Sequence, residues 1–216
     1  MNTTIYLMRH SEPSNKDRYI KTKDNLQVQN EKYVLSSNGE KKARILSEDK
    51  EMQNIDVVIA SNYIRAISTA KYISEHNNID TYIIDDFGER KFGIDSWSEL
   101  PENFMQKQLE EPDYKIKNGE SQNEVAERMY NALIEVLNKY EGKRIAIVSH
   151  GTAITFLFIK LGEYKNNELY FNNKKVMDIS FKWNAPEVFK LSFKDKTLNN
   201  IENIIIDYSS IEKNKK

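Results

Sequence analysis

A chain of 216 residues is of single-domain size and long enough to bury a sizeable core. Its 32 Lys and Arg offset 33 Asp and Glu to a net charge of −1, which removes the general electrostatic argument for nucleic acid or an anionic membrane as partner. With no cysteine, a disulfide framework, a thiol nucleophile and Cys-ligated zinc are all excluded.

In chain order, residues 4–8 are a short apolar run that predicts a buried strand ending at Arg9-His10. That run is too short for a secretory signal, which needs roughly 7–15 apolar residues behind a basic start. Residues 11–34 are mostly polar and contain Pro13, and they predict a long loop with one short turn at most. Ser37-Asn38-Gly39-Glu40 fits a capping box for a helix carrying Ala43, Ile45 and Leu46. Residues 55–60 read as a second buried strand, after which Ser61-Asn62 caps a helix bearing Ile64, Ile67, Thr69, Ala70 and Ile73. A third strand is expected at 79–84. Between Lys91 and Lys117, Pro101 and Pro112 bracket a short helix.

Residues 120–140 show the longest helical pattern, with Val125, Met129, Leu133 and Val136 on one side and Gly142 as its stop. Residues 144–148 predict a fourth buried strand that ends at Ser149-His150-Gly151, with a helix beyond. The greasiest part of that helix, 153–161, falls short of the about 20 apolar residues a spanning helix needs. Strands are expected at 187–193 and 201–207, and a frayed tail at 209–216. Apolar strands alternating with helices imply an α/β sheet covered on both faces. One domain over 1–208 follows, with an insertion at about 88–118, in a cytoplasmic protein without a membrane partner.

In open α/β sheets the carboxyl ends of the strands form the binding crevice. Those ends carry Arg9-His10, Ser61 with Arg65 one helical turn later, Glu89, and His150. The chain has three histidines, and two of them directly follow predicted strands. The third, His76, sits at a helix end and reads as solvated. Any one of these residues alone is more simply structural. Together, two His, two Arg and one Glu make a cationic pocket with a single acid, which suits phosphoryl transfer: guanidinium groups hold the anionic oxygens, an imidazole carries the group, and a carboxyl protonates the leaving alkoxide. No His-x-x-x-His, Cys pair or Asp-rich loop suggests a metal site, so neither metal nor cofactor is expected.

The ordered segments Arg9-His10-Ser11-Glu12, Leu35-Ser36-x-x-Gly39, Ser61-x-x-x-Arg65-Ala66-x-x-Thr69-Ala70, Glu89-Arg90-x-Phe92-Gly93, Gly119-Glu120-Ser121 and Ser149-His150-Gly151 resemble the histidine phosphatase, or phosphoglycerate mutase-like, superfamily over about residues 4–160. The resemblance implies a three-layer α/β/α fold with a mainly parallel sheet. It implies His10 as the phosphorylated nucleophile, Arg9, Arg65 and His150 as holders of the phosphoryl oxygens, with His150 protonated or donating, and Glu89 as proton donor. Two positions depart from the family pattern: Ser11 stands where Gly is usual, and Pro13 and Lys16 stand where Thr and Asn are usual. Asn15 and Thr152 are the substitute oxygen ligands to consider, and Ser11 and Arg90 are further candidates beside the substrate.

The same core serves phosphatases and mutases, and mutases need a second anion site. From Phe92 to Tyr114 the only cation is Lys107, against six carboxylates, so a phosphatase acting on a small-molecule phosphate ester is the expectation. Phosphoglycerate mutase-type transfer is the first alternative and a non-catalytic phospho-ligand-binding module the second. Phe92, Trp97, Leu100, Phe104, Met105 and Tyr114 either pack the insertion onto the body or line a leaving-group pocket. A neutral imidazole attacking beside a protonated carboxyl implies a mildly acidic to neutral optimum. No pattern in the sequence specifies an oligomeric state.

Overall fold

Side chains along β1 (Asn2–Arg9) alternate between two cores, Ile5 and Leu7 entering one and Tyr6 and Met8 the other. The computed structural model describes residues 1–14, 23–179 and 183–212. The next two strands, β2 (Val57–Ala60) and β3 (Thr81–Ile83), lie in one six-stranded sheet with β1 and β4 (Arg144–Ser149). A separate antiparallel meander, β5 (Glu163–Lys165), β6 (Glu168–Phe171) and β7 (Lys174–Asp178), precedes β8 (Glu187–Lys194) and β9 (Thr197–Ile204). The main sheet runs β3-β2-β4-β1-β8-β9; its first four strands are parallel, and β8 is antiparallel to both neighbours.

Helices α2 (Ser37–Glu48) and α3 (Ile64–Asn77) cover one face through Leu46, Ala66, Ala70 and Ile73. Helices α5 (Gln122–Lys139) and α6 (Gly151–Leu161) cover the other through Met129, Leu133, Ile154 and Phe158. The three-layer α/β/α fold follows because the central strands are apolar on both faces, and each such buried side chain is worth about 1.5–3 kcal/mol. The short helix bracketed by Pro101 and Pro112 is α4 (Phe104–Glu110), and α5 starts in a full capping box between Ser121 and Glu124, worth about 1 kcal/mol.

Several elements differ from the expectation. Residues 26–32 form α1 (Leu26–Lys32), capped by Asn25, within the stretch expected to be loop. Its pattern is short and polar because only Leu26 and Asn30 are buried. Ser36, not Ser37, caps α2, and α3 begins after Tyr63 with no side-chain cap. The β5–β7 meander was not anticipated. Its two hairpins turn at Asn166-Asn167 and Asn172-Asn173, all four in the left-handed region that two-residue hairpins require and Asn tolerates. Of the tail, α7 (Ser209–Glu212) folds as a helical turn that buries Ile211, and 213–216 lie outside the described residues.

Candidate active site

Because β1 and β4 pair in parallel with Arg9 opposite Ser149, the residues that follow, His10 and His150, emerge side by side, with ring centroids 5.1 Å apart. Arg65, in the first turn of α3, reaches between them: Nε donates to His10 Nε2 at 2.9 Å, Nη2 to His150 Nδ1 at 3.2 Å, and Nη1 to the carbonyl of Asn30 on α1. A guanidinium can only donate, so both ring nitrogens facing it carry lone pairs. Each neutral imidazole therefore has its proton on the far nitrogen. His10 Nδ1 donates to the Ser11 carbonyl at 2.7 Å, and His150 Nε2 to Ser61 Oγ at 2.7 Å.

All three side chains are buried. Burial, then the charges of Arg65 and Arg9, hold His10 well below the usual histidine range. Burial and Arg65 do the same to His150. His10 is thus a neutral imidazole whose Nε2 lone pair is held by the Arg65 guanidinium. Tyr63 packs its ring 4.5 Å from that of His150 and under the Arg65 guanidinium.

Glu89 follows β3 by way of a 3-10 turn, Asp85–Phe87. Its Oε1 accepts from the amides of Arg90 at 2.9 Å and Ala153, at the start of α6, at 3.2 Å. Oε2 makes no hydrogen bond to a described residue. The Glu89 carboxylate is near enough to Arg9 and Arg65 to favour their charged forms against burial. Arg9 Nη1 donates to the carbonyls of Trp183 at 2.7 Å and Asn184 at 3.2 Å. Behind Glu89, Arg128 of α5 donates to the carbonyls of Asp86, Gly88 and Glu89, while Glu120 accepts from Arg128 and from the Lys91 amide.

The profile of the histidine phosphatase superfamily (branch 1) matches residues 5–191. This chain belongs to that superfamily. It is 29% identical over 160 residues to the "Uncharacterized phosphatase PhoE" of Bacillus subtilis, spanning 74% of this chain and 77% of that one. To the "Probable phosphoglycerate mutase GpmB" of Cronobacter sakazakii it is 28% identical over 188 residues, 82% and 84% of the two chains. Among solved structures, a mycobacterial glucosyl-3-phosphoglycerate phosphatase superposes with a TM-score of 0.68 at 16% identity, covering 95% of this chain and 98% of that one. Bacillus stearothermophilus YhfR superposes with a TM-score of 0.68 at 20% identity, covering 91% and 94%. These two show likeness of fold.

For this histidine phosphatase superfamily member, several expected substrate contacts fall elsewhere. Ser11 is buried with its hydroxyl donating to the Gly39 carbonyl at 2.7 Å and its amide to Thr69 Oγ1 at 2.9 Å, so it ties the loop to α2 and α3. Arg90 points away into the insertion, where it donates to Gln108 and packs on Phe92 and Phe104; burial lowers its pKa to about 10. Phe92, Trp97, Phe104 and Tyr114 stack on one another within the insertion, and Phe92 also lines a cleft of about 230 Å³ between α1 and the insertion. Thr152 is half-buried in the first turn of α6. Asn15 lies outside the described residues. His76 is exposed and bonds Gln53, as a solvated residue should.

The sequence reading did not single out Tyr63, Asn30 or Arg128, and it assigned no role to Glu120. Each acts through a partner distant in sequence, and only the Glu120 motif carried a signal. No group of three or more His, Cys, Asp or Glu among the described residues could hold a metal. No described helix is long and apolar enough to cross a membrane.

Proposed function

We propose that this chain is a metal-independent phosphatase of phosphate monoesters that works through a phosphohistidine on His10. The observation that carries the reading is the pair of lone-pair nitrogens, His10 Nε2 and His150 Nδ1, held on one buried guanidinium. When a phosphate ester enters, its oxygens take the Arg65 N–H donors, and His10 Nε2 is released to attack phosphorus. The bond from phosphorus to the ester oxygen breaks, and the leaving alkoxide takes the proton of the Glu89 carboxyl. His150 Nδ1, no longer occupied by Arg65, takes the proton of the bound phosphate monoanion, donates it back to the phosphoryl group as a hydrogen bond, and returns it when inorganic phosphate leaves. In the second step Glu89 removes a proton from water, the hydroxide attacks phosphorus, and the phosphorus–nitrogen bond breaks to give inorganic phosphate and neutral His10. Arg9 and Arg65 supply the positive charge that a metal would otherwise provide.

Hydrolysis is favoured over mutase chemistry by how the cations of the insertion are used. Arg90 is buried in the insertion, Lys107 lies over the Tyr114 ring, Lys115 pairs with Glu124, and Lys117 pairs with Glu99 at 2.8 Å. A second phosphate would meet Lys91 alone among the described cations of this segment. Against a pure binding module stands the neutral His10, which needs no change of protonation to react. The test is hydrolysis of para-nitrophenyl phosphate in EDTA by the native chain and by His10→Ala. EDTA-insensitive turnover lost in the variant supports the reading. Turnover that survives the substitution, or that needs added metal, overturns it.

A further inference from the structure

Arg9 enters the phosphoryl site from β1 with its Nη1 already committed, to the carbonyls of Trp183 at 2.7 Å and Asn184 at 3.2 Å. Its Nε and Nη2 make no hydrogen bond to a described residue. A guanidinium grips two oxygens of one anion through neighbouring N–H groups, and the Nε/Nη2 edge is the pair left for that. The position of two backbone carbonyls just before β8 therefore decides which edge of Arg9 faces a phosphoryl group.

Those carbonyls are held unequally. The Trp183 ring packs edge-on against Phe189, with centroids 5.7 Å apart, and lies so close to Gly151 that a Cβ there would be 3.0 Å from it. Asn184 is exposed and has no such anchor. Cavities of about 630 Å³ and 310 Å³ lie along this segment, and Glu187 and Asn203 line both. Hydrogen bonds hold Asn184 instead: its amide donates to Glu187 Oε2 at 2.9 Å, and Asn203 Nδ2, on β9, donates to Glu187 Oε1 at 3.0 Å. Glu187 is the first residue of β8 and stands directly opposite Arg9 in the β1–β8 ladder, so the two side chains share one face of the sheet. Burial lowers the Arg9 pKa, and the charges of Glu89 and then Glu187 work against that.

We infer that Glu187 is a positioning residue of the phosphoryl site: it fixes Asn184 through the backbone amide, and the carbonyls of 183 and 184 then turn the Nε/Nη2 edge of Arg9 to the phosphoryl oxygens. The inference rests on the phosphatase reading above for the use of Arg9. Glu187 acts through Arg9 and not on the reacting atoms. Glutamine at this position keeps both contacts, since its oxygen accepts from the Asn184 amide and its N–H₂ donates to Asn203 once that side-chain amide is reversed. Alanine keeps neither.

The test measures kcat/KM for para-nitrophenyl phosphate in the native chain, Glu187→Ala, Glu187→Gln, Arg9→Ala and the double variant Arg9→Ala/Glu187→Ala, with the affinity for inorganic phosphate by titration calorimetry in the first three. Glu187→Ala should lower kcat/KM by about three- to tenfold and weaken phosphate binding by a similar factor, and Glu187→Gln should bring both to within about twofold of native. In the Arg9→Ala background the loss of Glu187 should cost less than about 1.5-fold, because the residue it positions is gone. An equal loss in both backgrounds, a Gln variant as impaired as the Ala variant, or no loss in Glu187→Ala overturns the inference and leaves the phosphatase reading standing. Hydrolysis that is absent, or that survives His10→Ala, overturns the phosphatase reading, and the phosphate affinities then decide the inference alone. A native chain that binds no phosphate overturns both.

Discussion

Arg128 grips Glu120 with two parallel contacts, Nε to Oε1 at 2.7 Å and Nη2 to Oε2 at 2.9 Å, and spends its remaining donors on the carbonyls of the turn that ends at Glu89. A single guanidinium thus fixes the backbone of the proposed proton donor from behind. Arg128→Ala should lower kcat on an alkyl phosphate by about 10- to 100-fold with a smaller change in KM, because a misplaced donor costs most where the proton moves. Arg128→Lys should recover little, since an ammonium cannot reproduce the planar fork. Equal losses in kcat for alkyl phosphate and para-nitrophenyl phosphate would argue for general loosening rather than positioning.

Arg65 donates in three directions at once, to both histidines and to Asn30. Arg65→Lys keeps the charge but not the geometry, and steady-state kinetics should show kcat/KM down by about 10²-fold or more. Activity within a factor of three of native would remove Arg65 from the phosphoryl site.

Glu89→Gln should separate leaving groups. Hydrolysis of an alkyl phosphate, whose alkoxide needs a proton, should fall by about 10²- to 10⁴-fold, and that of para-nitrophenyl phosphate by much less. A native rate on alkyl phosphate that climbs steadily from pH 6 to pH 9 would contradict Glu89 as the acid.

Stability should fall as the medium is acidified. Burial first, and then Arg65, hold His10 and His150 below the ordinary histidine value, so between about pH 6.5 and their lower folded values the unfolded chain binds protons that the folded chain does not. Stability therefore rises with pH across that window, by up to about 2.7 kcal/mol per pH unit when both sites contribute. Urea unfolding at pH 7, 6 and 5 should show this slope, and the double variant His10→Gln/His150→Gln should flatten it. Carboxylates such as Glu12 and Glu51, whose pKa values are also lowered, add the same sign at more acidic pH and remain in the variant as the reference.

Gly39→Ala tests how the loop after His10 is held. A Cβ at Gly39 would lie 2.1 Å from the Glu12 carbonyl oxygen, a backbone atom that cannot swing aside. Loss of about 2 kcal/mol or more is expected in denaturant unfolding, with reduced turnover, since Ser11, Glu12 and α2 meet there.

The α/β layering, and the side chains that the carboxyl edge of the sheet brings together, were legible in the chain. Strands buried on both faces must be continuously apolar, and a strand's carboxyl end must release the next residue at the edge of the sheet. That is why Arg9-His10, Arg65, Glu89 and His150 could be read without coordinates. Elements whose stability is not written in a local period escaped: α1, with two buried residues, and the β5–β7 meander, whose strands are half-solvated and whose only clear signals are two Asn-Asn turns.

Direction and pairing were decided by tertiary structure alone. Ser11 and Arg90 flank His10 and Glu89 in sequence, yet one side chain turns to Gly39 and the other into the aromatic insertion. Arg128 lies 39 residues from Glu89 and still holds its carbonyl. Sequence patterns record which surface of an element is buried; which donor meets which acceptor depends on how those elements cross, and that is set only when the layers have packed.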